Sequence, residues 1–320
     1  MRNAVRRFFC LLLVSVFTAG FVSACSSVNR SDNAPVQPSV ADCRTVQHMM
    51  GSTCIPRNPQ RIVMLREDYW INGLELGVQA IATVSEPGFP FPKYLQGKLE
   101  QLESVGNYST VSLERILQLK PDLILSHPGL ESVYQKLSHI APTVVLNTSF
   151  PPPSWQEQLE ELAYILDKEE AGKQVINNYQ QRVEKLKNAL GDRRYSKISI
   201  ANTSSEYGIW SYGENHPCGS ILKDVGLQRP EMQRGDFFYI ENISKEKISD
   251  IDGDALFFIS WERKDDGKTL ERLKQSPLWA KLDVVQRDQV YLVGSHWHSS
   301  DILAINAILD DLFKYLVHTP

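Results

Sequence analysis

Apolar runs at residues 61–65, 79–84, 122–125 and 143–146 alternate with stretches whose apolar positions recur at helical spacing. Short buried runs separated by helices predict a parallel sheet with helices on its faces. A second series at 197–201, 255–260 and 289–293 repeats the arrangement, so the chain is read as two α/β halves. Between them, Ser154 with Glu157 and Asp167 with Glu170 each place a capping acceptor three residues before a carboxylate that reaches back. From Ala171 the positions Val175, Ile176, Tyr179, Val183, Leu186 and Leu190 lie on one helical face, and Gly191 supplies a left-handed stop. That is a helix of about six turns. The expected division is a first lobe over 43–153, linker helices over 154–191 and a second lobe over 192–320. A helix between lobes limits how far a cleft opens.

The halves share an internal repeat. Ser112-Leu113-Glu114-Arg115-Ile116 leads to the strand at Asp122, and Ser244-Lys245-Glu246-Lys247-Ile248 leads at the same offset to the strand at Asp254. Each serine is placed to cap a short helix with a glutamate in its first turn, where a carboxylate complements the helix dipole. On these residues alone Glu114 and Glu246 are either dipole partners or an equivalent pair of surface anions.

The N-terminus reads differently. Arg2, Arg6 and Arg7 precede an apolar run over 8–17, followed by Val22-Ser23-Ala24-Cys25. This resembles a bacterial lipoprotein signal: residues 1–24 are an export leader, too short and too poorly flanked to span a membrane. The resemblance implies acyl chains on Cys25, a polar tether over 25–42, and a chain anchored in the cell envelope facing the periplasm or the exterior.

A net charge of −4 without a basic patch excludes nucleic acid as a partner. Of five cysteines, Cys10 leaves with the leader and Cys25 is the anchor. Cys43 and Cys54 are expected to form a disulfide, being close in sequence in an oxidising compartment. Cys218 is then a lone thiol with His216 as the only nearby base.

In open α/β sheets ligands bind beyond the carboxyl ends of the strands. That rule selects Arg66 and Glu67, Ser85 and Glu86, Ser126 and His127, Trp261 and Glu262, and the run from Ser295 through His296 and Trp297 to His298.

Several motifs then become specific together: Cys43-Arg44-Thr45-Val46-Gln47-His48 with Cys54-Ile55-Pro56, Pro59-Gln60-Arg61-Ile62-Val63, Leu113-Glu114-Arg115-Ile116, and Leu119-Lys120-Pro121-Asp122-Leu123-Ile124. Gly219-Ser220-Ile221-Leu222, Val225-Gly226-Leu227, Arg229-Pro230 and Ser276-Pro277-Leu278-Trp279 follow in order. From about Cys43 to its end the chain resembles the iron-siderophore substrate-binding lipoproteins of ABC importers, similar to the vitamin B12 and ferric-hydroxamate binding proteins. The resemblance implies a class III periplasmic-binding-protein fold: two α/β lobes, a long connecting helix and a ligand cleft between. It implies a monomer that hands its ligand to a permease driven by a separate ATPase, with Glu114 and Glu246 docking on permease arginines.

The implied ligand is an iron(III)-siderophore, which saturates the metal with its own oxygens. The protein is therefore expected to offer aromatic walls and a few cations, with no cofactor and no metal ligands of its own. Trp210, Tyr212, Phe237, Phe238, Tyr239, Trp261 and Trp297 are candidate walls; Arg66 and Arg263 are candidate cations, and Tyr108 and His296 are further candidate contacts. Tyr108 falls where some hydroxamate-binding relatives place an arginine, a departure from a hydroxamate-type site. The alternative is a haem importer's binding protein, with Tyr108, His127, His296 or His298 as axial ligand. Asp250-Ile251-Asp252-Gly253-Asp254 hints at a calcium loop, but Trp261 stands where the bidentate glutamate belongs. No nucleophile elbow, phosphate loop or zinc signature is present, so binding rather than catalysis is expected.

Overall fold

A hairpin opens the described chain. β1 (Cys43–His48) and β2 (Gly51–Pro56) pair antiparallel, and the Cys43–Cys54 disulfide staples them. The computed structural model describes residues 43–86, 93–95, 102–204, 208–261 and 265–317, so the leader, Cys25, the tether, Glu262 and Arg263 lie outside the described residues.

The first lobe follows with β3 (Ile62–Met64), β4 (Ala80–Thr83), β5 (Glu103–Ser104), β6 (Leu123–Ser126) and β7 (Thr143–Val145). They form one parallel sheet in the order β5-β4-β3-β6-β7. β3, β6 and β7 are buried along their length, as parallel strands covered on both faces must be. Alternate residues feed different cores: Ile62 and Met64 enter the large core that runs through both lobes, while Val63 and Leu65 pack beneath the outer helices.

The second lobe contains β8 (Ile198–Ser204), β9 (Gly208–Tyr212), β10 (Tyr239–Ile240), β11 (Ala255–Ile259) and β12 (Val290–Val293), in the order β10-β9-β8-β11-β12. The three strands expected from the sequence are joined here by two that it did not single out, β9 and β10. β8, β11 and β12 are parallel, but β9 runs against both β8 and β10. Only three residues separate β8 from β9 in sequence, and a parallel return needs a crossover of a dozen or more.

The linker helices are Trp155–Leu166 and Glu169–Leu190. The first carries the expected Ser154–Glu157 capping box. The second expected cap does not form: Asp167 ends the first helix in the left-handed conformation (φ 58°), and Lys168, with no side-chain cap, starts the next. The 22-residue helix buries Tyr179, Val183, Leu186 and Leu190. It is fastened to the second lobe by Tyr179, whose hydroxyl donates to Asp224 at 2.7 Å, and by Arg182, which donates to the Asn306 side chain at 2.8 Å. The lobes also touch directly. The Ile302 N–H donates to the Asn72 side chain at 2.9 Å, and the Tyr94 hydroxyl donates to Asp301 at 2.8 Å.

The internal repeat has a structural counterpart. Asp122 accepts the N–H groups of Gln60 and Arg61 at 2.7 and 2.9 Å, and Asp254 accepts the N–H of Lys197 at 2.7 Å. In both lobes the aspartate before one strand thus pins the start of its neighbour. The capping parallel is looser: Ser112 caps Leu113–Leu119 by accepting from Arg115, whereas Lys245–Ile251 is a 3-10 helix that Ser244 does not cap. Glu114 and Glu246 are both exposed.

Among the described residues no helix is long and apolar enough to cross a membrane, and no group of three or more potential metal ligands converges. The carboxylates of the supposed calcium loop are engaged elsewhere, Asp252 by the N–H groups of Asp283 and Val284 and Asp254 by Lys197.

Candidate functional site

A cavity of about 550 Å³ opens at the carboxyl end of β3, between the first lobe, the crossover into the linker helices and the second lobe. Its size suits a small-molecule site, for which roughly 300–1,000 Å³ is usual. Arg66 enters from the first lobe; Phe150, Trp155 and Gln158 come from the crossover; Glu214, His216, Phe238 and His298 come from the second lobe.

The second-lobe wall depends on a close backbone approach. A Cβ on Gly219 would lie 1.9 Å from the Gly213 carbonyl oxygen, so only glycine lets the helix Pro217–Val225 seat against the loop after β9. That seating presents His216, whose ring caps the helix by accepting from the Cys218 N–H. Around His216 lie the rings of Tyr212 at 4.3 Å, Phe238 at 4.7 Å and His298 at 5.3 Å. His298 is in turn enclosed by Trp261 at 4.7 Å, Tyr212 at 5.7 Å and Trp210 at 5.9 Å. Its Nδ1 is sealed from solvent without a hydrogen-bond partner, while the ring edges the cavity. Burial pushes His298 down to about 4 and holds His216 well below its ordinary value, so both imidazoles are neutral at pH 7. Cys218, the free cysteine among the described residues, is buried beside His216 and burial raises its thiol to about 12, which makes it inert.

Arg66 is held in place by Asp68, to which its Nε and Nη2 donate at 2.8 and 2.7 Å. At the Phe150 corner, 68% of this large aromatic is exposed while its ring meets Phe238 at 5.6 Å and Tyr239 at 5.7 Å, forming an aromatic lip.

Of the sequence candidates, Arg66, Phe238 and His298 line the cavity. Trp210, Tyr212 and Trp261 stand one layer behind, around the two histidines. Phe237 turns away, its ring against Gly213. Tyr108 donates to Glu67 at 3.2 Å on the first lobe and does not reach the cavity. Two expectations are corrected outright. Trp297 is fully buried, stacked on Phe257 at 4.5 Å, and donates to Asp311 at 2.9 Å, so it is core and not a cleft wall. His296 is tied to the same carboxylate at 2.8 Å and does not line the cavity. The 3-10 turn Ser295–His298 explains the split, since it points His298 to the cavity and Trp297 inward. Phe150 and His216 were missed as cavity residues; a histidine before a helix-opening proline is a visible signal for the second, and the first has none in its local sequence.

The haem alternative loses most of its donors. Tyr108 is bonded to Glu67, His296 to Asp311, and the His127 ring accepts from the Gly129 N–H; of the four, only His298 lines the cavity.

Beside the site, Glu67 and Asp301 meet across the lobes. Burial, with Asp301 and Asp68 nearby and despite the Tyr108 hydrogen bond, raises Glu67 from 4.5 to about 7; burial likewise raises Asp301 to about 6. The folded chain therefore holds protons that the unfolded chain has released, and stability falls as pH rises from about 4.5 to about 7. Glu67→Gln is expected to remove part of that slope, melting above the parent at pH 8 and close to it at pH 4. Parallel melting curves across that range would contradict the assignment.

The profile of the family described as periplasmic binding protein matches residues 72–296. A probable siderophore-binding lipoprotein of Bacillus subtilis, YfiY, is 33% identical over 329 aligned positions, covering 98% of this chain and 100% of the relative. An achromobactin-binding periplasmic protein of Dickeya dadantii is 30% identical, covering 80% of this chain and 86% of its own. Among solved structures, Staphylococcus aureus SirA complexed with staphyloferrin B superposes with a TM-score of 0.71 at 27% identity, covering 85% of this chain and 98% of that one.

Proposed function

The chain belongs to the periplasmic binding protein family, and on that premise we propose that it captures an iron(III)-siderophore outside the cytoplasm and delivers it to an ABC importer. The observation that carries the reading is the cavity itself: between two α/β lobes, walled by Phe150, Trp155, Phe238 and two neutral imidazoles, with one cation, Arg66, and no convergent metal ligands among the described residues. A ferric complex that keeps its own coordination shell asks for apolar contact and a few orienting hydrogen bonds, and this wall offers both. The helix Glu169–Leu190, bonded to the second lobe, and the Asn72–Ile302 and Tyr94–Asp301 bonds favour small relative motion of the lobes on binding. The relatives named above are a siderophore-binding lipoprotein and an achromobactin-binding protein, which favours a siderophore over haem.

Delivery completes the reading. Cys25 is the acylated anchor, the tether over 25–42 gives the binding unit reach, and the chain acts as a monomer. Glu114 on one lobe and Glu246 on the other dock on cations of the permease.

Residues from Val40 onward form one compact unit, so a form beginning after Cys25 folds without its leader. Phe238→Ala in that form is expected to weaken binding of the cognate ferric siderophore at least about tenfold, as loss of one aromatic contact of 1.5–3 kcal/mol implies. Tryptophan quenching measures the affinity and thermal melting checks the fold. Unchanged affinity would place the ligand elsewhere.

A further inference from the structure

We propose that this cavity selects a ferric complex of low net charge, neutral or singly negative, over tris-catecholate and polycarboxylate complexes. The proposal deepens the siderophore reading and rests on it. Its ground is the arrangement of charges around the cavity. Arg66 is the one cation among the described lining residues, and it arrives with its counter-charge, since Asp68 takes two of its N–H groups. Two carboxylates line the same space, Glu157 and Glu214. Glu214 is matched by Lys223 at 3.0 Å; among the described residues Glu157 accepts from the hydroxyl and N–H of Ser154 and pairs with no cation.

Behind the wall, Arg229 is 3% exposed and donates to the Tyr212 carbonyl at 2.8 Å and to the Gln233 side chain. Its charge acts on Glu214, and with Lys223 it balances the two lining carboxylates in number. The two histidines contribute none at pH 7, because their burial among aromatic rings disfavours the imidazolium. Tyr108 supplies a phenol already engaged by Glu67. Adjacent Glu67 and Asp301 add only negative charge when ionised.

Among the described residues the surroundings of the cavity thus hold no surplus of positive charge. A tris-catecholate complex is triply negative, because each ring brings two charges against the three of iron. Moving it into this space strips hydration that no cation replaces. A complex of low charge loses little on entry and gains the aromatic lip of Phe150 and Phe238. It also meets the imidazole edges, which exchange hydrogen bonds with neutral oxygens and N–H groups.

The test compares neutral ferrichrome, ferri-bacillibactin and ferric staphyloferrin B by tryptophan quenching of the form beginning after Cys25, at low and high salt. Ferrichrome is expected to bind at least about tenfold tighter than either anion, with a dissociation constant that moves less than about twofold between the salt conditions. Glu214→Gln, which uncovers Lys223, is expected to raise the affinity for ferri-bacillibactin several-fold relative to that for ferrichrome. Tightest binding of a highly charged complex would overturn the charge assignment while leaving siderophore capture standing. Binding of none of the three, nor of a singly negative citrate-hydroxamate complex, would overturn both.

Discussion

Replacing Trp297 with alanine is expected to lower folding stability by about 3–5 kcal/mol, the range for deleting a buried aromatic ring. The indole has no exposed surface, stacks on Phe257 with an interplanar angle of 19°, and donates to Asp311 at 2.9 Å. Deletion removes the packing of β11 against the turn Ser295–His298 and leaves a void that the surrounding close-packed core cannot fill without moving. In a chain of this size the melting temperature should fall by roughly 6–15 °C. Chemical and thermal unfolding measure the loss. The comparison with Phe238→Ala separates core from cleft, since Trp297→Ala should cost stability and Phe238→Ala affinity. A Trp297→Ala protein that melts normally but no longer binds would return this residue to the cleft.

The second large effect concerns delivery. With Glu114→Lys and Glu246→Lys combined, uptake of the ferric siderophore by cells is expected to fall at least about tenfold, while the purified protein keeps its ligand affinity within about twofold. Both side chains are exposed, one on each lobe, and neither lines the cavity. Like-charge juxtaposition at an interface costs several kcal/mol, and each 1.4 kcal/mol is a factor of ten. Each single reversal should give a smaller loss, because one correct contact still sets register. Uptake undiminished in the double variant would remove these glutamates from the docking surface and return them to the role of dipole partners for their helices.

The fold was legible where a single periodicity decided the outcome. Apolar runs such as Ile62-Val63-Met64 and Ala255-Leu256-Phe257-Phe258-Ile259 specify buried parallel strands, and the helical stripe from Tyr179 to Leu190 specifies the linker. β9 and β10 were not read as strands at all, because Gly208–Tyr212 opens on a glycine and is short, and Tyr239–Ile240 is only two residues long. The second helix start was misplaced for a different reason: Asp167 serves equally well in the left-handed end of one helix and as the cap of the next, and the tight turn between the helices selects the former.

The site was legible only as a region. The carboxyl-end rule led to Arg66 and to the Ser295–His298 turn, yet a 3-10 turn sends adjacent side chains in opposite directions, so His298 lines the cavity as expected while Trp297 turns into the core. Phe150 acquires its role from contact with Phe238 in another lobe, and no local pattern carries that. The pairing of Cys43 with Cys54 was legible because sequence separation alone favours it.

The most direct test of the central claim is retention of iron by the protein itself. The form beginning after Cys25 is incubated with a ferric siderophore of low charge, or with haemin, and passed over a desalting column. Retention of about one intact ferric complex per chain, with the visible band of the free complex unchanged, is the predicted result. Loss of all iron from the protein fraction, or retention of haemin with an axial-ligand band, would contradict it.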